Sequence, residues 1–309
     1  MQLSIIIVSY NTKEVTLACL ESILRCLNSV EGLKEKVEII VIDNASTDDS
    51  VHSIKKYLAN EEVTHSVLGN IVNLGFAGAN NQGILQAKGQ FVWLLNSDTI
   101  VGKHAIPNLL AQMEKAGNAI IAASLWNMDK SYQPQGGDLP GFWSLLSFAL
   151  LLDDIPLLGK LLPSLQHTGH RASPLNRSLT QKGWVAGTAL CFPAELATEV
   201  GVLDEAIFMY AEDIDFCWRA KKAGAPSFIA KDAKVIHLGS ASSSSAKARV
   251  GEFNSLAYVV RKHQNSQMAK MSILLLVIAA TTRKWLYTLL GKKELSETYA
   301  EILQLDSLR

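Results

Sequence analysis

The sequence has no excess of charge of either sign, since its 309 residues contain 29 Lys and Arg and 29 Asp and Glu. A general nucleic-acid-binding protein carries a basic excess, so this class is disfavoured. The four cysteines include no Cys-x-x-Cys pair, which fits a reducing cytosol and buried, unpaired thiols. The N-terminal stretch lacks the basic residues that begin a signal peptide, and we expect a strand there instead.

Two motifs of nucleotide-binding proteins are also absent. No Gly-x-Gly-x-x-Gly follows the first apolar run, and no Gly-x-x-x-x-Gly-Lys-Ser/Thr occurs anywhere. These absences disfavour dinucleotide oxidoreductases and P-loop nucleotidases. Two apolar stretches, at 139–165 and 271–282, contain uncharged runs shorter than the roughly 20 residues that span a bilayer. Each stretch either lies at a membrane surface or packs on the core or on a second subunit.

Apolar runs alternate with helical segments along the first half of the chain. Phe91–Leu95 and Val37–Ile42 show no polar alternation, as expected of strands that are covered on both faces. Asn96–Asp98 follows the first of these runs, and Asp43 follows the second. The alternation predicts a doubly wound, mostly parallel sheet, and ligands bind at the carboxyl edge of such a sheet.

Each of these acidic residues has a functional interpretation and a structural one. Asp98 either holds Mg²⁺ or Mn²⁺ against a diphosphate or caps the next turn, since both metals prefer hard oxygen ligands. Asp43 either accepts a hydrogen bond from a nucleobase or a ribose hydroxyl, or it forms an Asx turn. Gly75 and Gly78 either let the backbone approach a ligand closely or simply permit positive φ.

The second half of the chain has three carboxylates within four residues. Glu212, Asp213 and Asp215 begin a predicted helix, where acids also stabilise the positive end of the helix dipole. Asp215 and Arg219 are spaced i, i+4, and we expect them to pair. Neighbouring acids raise one another's proton affinity, which suits a general base near neutral pH. A purely capping role for the cluster is the alternative.

The segments SIIIVSYN, VIDNASTDDS, NLGFAGANNQGI and LLNSDT, in this order and spacing, resemble the nucleotide-sugar-binding half of family 2 glycosyltransferases. The nearest likeness is to the rhamnosyltransferase-like branch that builds bacterial surface polysaccharides, and it runs from Ser4 to about His263. The resemblance implies an α/β fold of the GT-A type, with a mostly parallel central sheet and a helical C-terminal appendage.

The resemblance also implies the residues of the site. The nucleotide sugar would contact Ser9, Tyr10, Asn11, Asp43, Asn73, Gly75, Asn80 and Asn96. Asp98 would bind the metal, Mg²⁺ or Mn²⁺. The family's usual Asp-x-Asp is Asn96-Ser97-Asp98 in this sequence, so one charge is missing and His237 would complete the metal site.

The implied reaction is an inverting sugar transfer in which Asp213 is the base and Glu212 the supporting acid. Trp184 would stack on a sugar, and Gly187 would leave room for it, although Trp184 as core filler is the alternative. The expected donor is dTDP-rhamnose, and the expected acceptor is a hydroxyl of a lipid-linked glycan. Another UDP- or dTDP-sugar, a nucleotidyltransferase and a non-catalytic sugar-nucleotide binder are the competing interpretations.

The expected organisation is a catalytic domain at 1–250 and a helical tail at 251–309. Residues 1–124 would form the nucleotide-sugar-binding half, and residues 125–250 the acceptor and catalytic half with a flap around 132–177. Ser240–Ser245 is either a loop that closes over the diphosphate or a solvated loop. We expect a cytoplasmic protein at the inner face of the membrane, with no nucleic-acid partner and with self-association as the alternative use of its apolar helices.

Overall fold

The computed structural model describes residues 1–155, 158–166, 177–239 and 246–309. The predicted closing loop at 240–245 and part of the predicted flap lie outside these residues. The strands are β1 Leu3–Ser9, β2 Val37–Asp43, β3 Thr64–Gly69, β4 Phe91–Asn96, β5 Thr99–Val101, β6 Ile120–Trp126, β7 Leu179–Lys182, β8 Ala189–Pro193 and β9 Ser227–His237. The helices are α1 Lys13–Leu27, α2 Ser50–Leu58, α3 Gly75–Gln86, α4 Ala105–Ala116, α5 Phe142–Ala149, α6 Leu158–Leu161, α7 Ala194–Val200, α8 Glu212–Lys222, α9 Ala246–His263, α10 Ser266–Leu289 and α11 Lys293–Ile302.

The strands form one sheet in the order β3-β2-β1-β4-β8-β6-β9-β5, and β7 pairs with β9. The first half of this sheet is parallel, as predicted, because helices cross between β1, β2, β3 and β4. The second half is mixed: β8 runs antiparallel to both β4 and β6, whereas β6 and β9 are parallel. The architecture therefore combines a first half of regular parallel topology with a more irregular second half.

Strand register brings the polar strand ends to one edge. Ser9 at the end of β1 is paired with Asp43 at the end of β2, and Val8 is paired with Asn96 at the end of β4. The strands themselves are almost wholly buried, which is why they could be found in the sequence as continuous apolar runs.

A short antiparallel pair places a residue from the second half beside this edge. β5 pairs with the end of β9, and Thr99 lies opposite His237. Asp98, next to Thr99, accepts a backbone hydrogen bond of 2.9 Å from Leu238 N. The proximity of Asp98 and His237, distant in sequence, is thus fixed by backbone pairing.

The C-terminal helices share the main core with the sheet. Phe253 of α9 and Leu276 of α10 are buried in the same apolar cluster as Ile6 and Leu94 of the sheet. α9 begins at Ala246, so the helical part starts before the predicted boundary at residue 250. α10 covers the core with one face, which confirms the packing interpretation for part of 271–282.

The other face of α10 is exposed and apolar. Leu274, Trp285 and Leu289 are 52%, 64% and 83% exposed. Within the described residues, α10 is the single helix that is long and apolar enough to cross a membrane, and 39% of its most apolar window is buried against protein. The apolar run predicted to be too short to span is therefore part of a helix of 24 residues.

Candidate active site

A cavity of about 300 Å³ lies at the carboxyl edge of the sheet. Asn96 and Asp98, which follow β4, line one part of it, and Glu212 and Asp213 of α8 line another. His237 at the end of β9 is also in its wall. Residues from three distant parts of the sequence therefore face one enclosed space, as a transfer mechanism between two substrates requires.

Asp98 and His237 form a close pair in this wall. His237 Nε2 lies 3.3 Å from Asp98 Oδ1, and His237 Nδ1 lies 3.0 Å from Gln133 Oε1. Gln133 therefore fixes the ring so that Nε2 points to the carboxylate. The nearby Asn96 Oδ1 is buried and has no hydrogen-bond partner among the residues that the structure describes.

Asp98, His237 and Asn96 supply some, but not all, of the ligands that a divalent metal ion requires. A carboxylate, an imidazole and an unsatisfied amide oxygen are acceptable ligands for Mn²⁺, and Mg²⁺ is commonly held by few protein ligands together with substrate phosphates and water. No group of three His, Cys, Asp or Glu side chains is arranged as a metal site within the described ranges. The remaining ligands would therefore come from a diphosphate and water.

Asp213 lies at the first turn of α8, where the backbone fixes its carboxylate. Gly187 N donates to Asp213 Oδ2 at 2.9 Å, and Ile214 N donates to Oδ1 at 2.8 Å. Burial raises the pKa of Asp213 to about 6, although both backbone N–H groups favour the charged form. A carboxylate with this pKa is largely ionised at neutral pH and still accepts a proton readily.

Gly187 allows this contact because it has no side chain. A Cβ at Gly187 would lie 3.2 Å from Phe76 Cε1 and 3.7 Å from Asp213 Cβ. The predicted room for substrate is thus bounded by the Phe76 ring, which lines the same cavity. Any larger residue at this position would push against the ring and move the backbone N–H that holds Asp213.

Glu212 is buried directly beside Asp213. Burial, followed by the charge of Asp213, raises the pKa of Glu212 well above its usual value. Its Oε2 is buried, and no described residue is its hydrogen-bond partner. Both carboxyl groups of the pair therefore hold a proton more readily than an exposed acid does.

Asp215, the third acid of the cluster, serves a different purpose. Arg219 Nε donates to Asp215 Oδ2 at 2.8 Å, which confirms the predicted i, i+4 pair. Lys262 Nζ and His263 Nε2 each lie 2.7 Å from Oδ1. Burial alone would raise the pKa of Asp215, but these hydrogen bonds and charges outweigh it and lower the pKa. Asp215 thereby ties α8 to α9.

Trp184 combines both of its predicted roles. The indole is 8% exposed, and its Nε1 donates to Leu165 O at 2.8 Å, so it is part of the packed structure. The ring also lines the cavity that contains Asp98 and Asp213. Stacking of a sugar on its exposed part remains a prediction.

The predicted base-binding residues lie at the ends of β1 and β2. Asp43 Oδ1 accepts from Ser46 N at 2.9 Å, but its Oδ2 is buried and without a partner. Asn11 Oδ1 accepts from Thr47 N at 2.8 Å, while Tyr10 is 49% exposed. Ser9 is buried and lies within hydrogen-bonding distance of Thr12. These residues adjoin the strand edge but do not line the cavity of Asp98 and Asp213.

The Gly-rich turn is organised by a residue that the sequence interpretation missed. Asn44 Nδ2 donates to Asn73 Oδ1 at 2.8 Å, and Asn44 Oδ1 accepts from Leu74 N at 3.0 Å. Gly75 has φ +75°, and any Cβ there would collide with the Phe208 carbonyl. Asn80 donates to Phe76 O within its own helix, at 2.9 Å. Asn44 could have been suspected, because it follows Asp43 at the strand end.

Glu252 is a second residue of the cavity wall that the sequence interpretation missed. It lies on α9, lines the cavity and has a pKa that burial raises. The sequence gives one indication that Glu252 could be functional, since it is the single acidic residue of α9.

Several known proteins are similar to this chain in sequence. Residues 4–152 match the family model described as Glycosyl transferase family 2. The chain is 25% identical over 229 residues to the low-salt glycan biosynthesis hexosyltransferase Agl10 of Haloferax volcanii, a match that covers 71% of this chain and 62% of that protein. It is 27% identical over 216 residues to the N-acetylglucosaminyl-diphospho-decaprenol L-rhamnosyltransferase of Mycobacterium tuberculosis, covering 65% of this chain and 66% of the relative. The chain thus spans less than two thirds of these relatives' lengths.

Solved structures share the fold at low sequence identity. The mannosyltransferase PcManGT from Pyrobaculum calidifontis, in complex with GDP-Man and Mn²⁺, matches with a TM-score of 0.61 and 14% identity, over 100% of this chain and 82% of that one. GalNAc-T7 with UDP, GalNAc and Mn²⁺ also gives a TM-score of 0.61, at 18% identity, over 84% of this chain and 48% of that one. The fold is of the GT-A type, and the comparisons together support a glycosyltransferase.

The raised pKa of Asp213 predicts a pH-dependent effect of Asp213→Asn on stability. A carboxyl whose pKa rises on folding contributes stability that is fully present below its unfolded value near 3.8 and is lost as the pH rises through about 6. Asn cannot ionise, so the stability of the variant relative to the wild type should rise from pH 4 to pH 7, by at most about 3 kcal/mol. This change is superimposed on a constant loss, because the Asn NH2 group cannot accept from one of the two backbone N–H groups.

Thermal unfolding of both proteins between pH 4 and pH 8 checks this expectation. Asp232→Asn, which replaces an exposed acid, is the matched control and should show no such trend. A melting-temperature difference between Asp213→Asn and wild type that is constant across this range would show that Asp213 is not a buried carboxyl of raised pKa.

Proposed function

We propose that this chain is an inverting glycosyltransferase of family 2 that transfers L-rhamnose from dTDP-rhamnose to a hydroxyl of a lipid-linked glycan in bacterial surface-polysaccharide synthesis. The observation that carries the proposal is that Asp213, held by two backbone N–H groups, faces the same cavity as the Asp98–His237 pair. One side of the cavity is suited to a charged leaving group, and the other to a proton acceptor.

The donor would lie along the strand edge. The unsatisfied Asp43 Oδ2 is placed to accept from the base, and Asn96, Asp98 and His237 would hold a divalent metal ion at the diphosphate. A bound metal ion would supply charge neutralisation of the departing nucleoside diphosphate. The side chains of Asp98 and His237 keep this position through the backbone pairing of β5 with β9.

The acceptor hydroxyl would be activated by Asp213. Its carboxylate takes the hydroxyl proton as the oxygen attacks the anomeric carbon, and the nucleotide leaves from the opposite face, so the configuration inverts. The N–H groups of Gly187 and Ile214 orient the two carboxylate oxygens before the reaction. Glu212, with its raised pKa, donates a hydrogen bond to the acceptor or its neighbouring hydroxyl.

The choice of rhamnose rests on sequence likeness, supported by the rhamnosyltransferase relative. A glycosyltransferase for another UDP- or dTDP-sugar is the second candidate, because other relatives are named as a hexosyltransferase and as an N-acetylglucosaminyltransferase. A nucleotidyltransferase would need a Gly-rich, basic loop after β1, and the chain has Ser9-Tyr10-Asn11 there.

A donor screen tests the sugar and the metal together. Thermal shift should show the largest stabilisation with dTDP-rhamnose plus Mn²⁺ or Mg²⁺, because Asp98 and His237 would hold a metal ion that neutralises the charge of the diphosphate. A ligand at 100 times its Kd stabilises by about 2.7 kcal/mol. Asp98→Asn should lose the metal-dependent part of the shift, whereas the exposed Asp232→Asn should keep it. Preference for UDP-sugars would exclude dTDP-rhamnose, and equal shifts with and without metal would exclude the metal site.

The base is tested by Asp213→Asn, which preserves size but keeps an acceptor for only one of the two backbone N–H groups. We expect transfer to fall by about 10²- to 10⁴-fold, the usual contribution of general base catalysis, because no other group takes the hydroxyl proton. The donor-induced thermal shift should be unchanged, since the donor is held on the opposite side of the cavity. Transfer at the wild-type rate, or unchanged polysaccharide in cells that carry only the variant, would indicate a non-catalytic binder.

Contact with the inner face of the membrane is part of the proposal. The exposed apolar face of α10 carries Leu274, Trp285 and Leu289, and the helix has the exposed Lys270 and the half-buried Lys284 but no Asp or Glu. The apolar side chains of this face would enter the bilayer, and the basic residues would be attracted to anionic lipid headgroups. Self-association through the same face is disfavoured, because it would bring the lysines of two copies together.

Sedimentation with phosphatidylglycerol and with phosphatidylcholine vesicles tests this contact. The wild type should sediment with the anionic vesicles, and Leu274→Ser with Leu289→Ser should not. Leu85→Ser, which changes an equally exposed leucine on α3, is the matched control and should sediment like the wild type. If the protein instead remains in solution as a dimer that these serines dissociate, the face is a subunit interface.

A further inference from the structure

A second cavity of about 240 Å³ lies next to the candidate active site. Phe148 of α5, Arg283 of α10 and Tyr299 of α11 line it, so it belongs to the helical layer. Gln166 and Glu252 are in the walls of both cavities, and Gln166 Nε2 donates to Glu252 Oε1 at 2.6 Å. This hydrogen-bonded pair is therefore the boundary between the two spaces.

Three side chains of this wall have hydrogen-bonding atoms that no described residue satisfies. Arg283 donates through Nη1 to Phe148 O and Ala279 O and lies over the Phe148 ring, at 3.9 Å from its centroid, but nothing in the described ranges accepts from its Nε or Nη2. The Tyr299 hydroxyl and Glu252 Oε2 likewise have no hydrogen-bond partner among the described residues. These atoms are therefore available to a ligand or to water in the cavity.

The unsatisfied groups define the chemistry of a ligand. The Arg283 guanidinium donates hydrogen bonds, the Glu252 carboxylate accepts them, and the Tyr299 hydroxyl does both. A ligand must therefore present donors and acceptors within a small volume, which is what a ring with several hydroxyl groups offers. A space of about 240 Å³ is below the usual size of drug-like pockets and limits the ligand to a single ring.

The charges of the wall favour a neutral ligand over an anion. Arg249 and Arg283 are opposed by Asp153, Asp154 and Glu252, so the cavity has no net positive charge. Burial raises the pKa of both Asp154 and Glu252, which indicates that the carboxylates already lie in an unfavourable setting for negative charge. A phosphate group would add further negative charge beside these acids.

We propose that the second cavity binds one neutral sugar unit of the acceptor glycan, adjacent to the unit whose hydroxyl reaches Asp213. This inference rests on the proposed glycosyltransferase function, because it assigns the neighbouring cavity to the reacting pair of sugars. It implies that the acceptor contains at least two sugar units, and that Arg283, Glu252 and Tyr299 select for the second of them.

The binding test uses Tyr299→Phe, which removes one hydroxyl and leaves the ring packing in place. Saturation-transfer NMR would be recorded with methyl α-L-rhamnopyranoside, methyl β-D-glucopyranoside and methyl N-acetyl-β-D-glucosaminide. At least one should bind the wild type, and Tyr299→Phe should weaken its binding about fivefold, the effect of one neutral hydrogen bond. Tyr287→Phe is the matched control, since Tyr287 stacks on Tyr299 with ring centroids 5.7 Å apart but does not line the cavity.

Three outcomes of this binding test would overturn the proposal. No binding of any of the three glycosides to the wild type excludes a sugar site. Equal binding by the wild type and Tyr299→Phe places the sugar elsewhere. Displacement of the glycoside by inorganic phosphate, lost in Tyr299→Phe, identifies an anion site instead.

A kinetic test separates this inference from the proposed function. With disaccharide acceptors, Tyr299→Phe should raise the acceptor KM severalfold and leave the rate of donor hydrolysis unchanged, because Tyr299 lines the second cavity but not the candidate active site. With monosaccharide acceptors, this variant should behave as the wild type. Loss of donor hydrolysis in Tyr299→Phe contradicts the inference, because the residue would then act at the donor. Absence of any donor turnover by the wild type contradicts the proposed function, while the glycoside-binding result stands by itself.

Discussion

The burial of the Asp213 carboxylate against the backbone of Gly187 is the constraint on which the site depends. It requires a glycine at 187, because a side chain there would press on Phe76. It also requires α8 to be anchored, and Asp215 does this through Arg219, Lys262 and His263. The same short helix thus has two acids, Glu212 and Asp213, whose pKa values are raised and which line the cavity. The pKa of Asp215 is lowered, and Asp215 does not line it.

The first half of the site could be predicted from the sequence because its geometry is local. Apolar runs mark buried strands, and parallel strands end at one edge, so Asp43 and Asp98 had to lie near each other. The i, i+4 pair of Asp215 with Arg219 followed from helix geometry alone. The family resemblance added Asp213 and His237, which the structure brings to the cavity of Asp98.

The remaining features depend on contacts that sequence spacing does not encode. The mixed half of the sheet, with β8 antiparallel between β4 and β6, has no signature in the strand pattern. Asn44 and Glu252 act through partners far away in the chain, Asn73 and Gln166. The sequence predicted a short apolar segment at 271–282, because basic residues flank this run on both sides. The helix nevertheless continues past these residues, and Arg283 is buried within the helical layer. This layer forms one wall of both cavities.

The central claim is that one activated sugar is held between Asp98 with His237 and Asp213. It is tested most directly by a crystal structure with Mn²⁺ and the donor that stabilises the protein most. The account predicts the base near Asp43, the diphosphate at Asp98 and His237, and the anomeric carbon facing Asp213 on the side opposite the leaving oxygen. A donor bound away from this cavity, or one whose anomeric carbon faces away from Asp213, would contradict it.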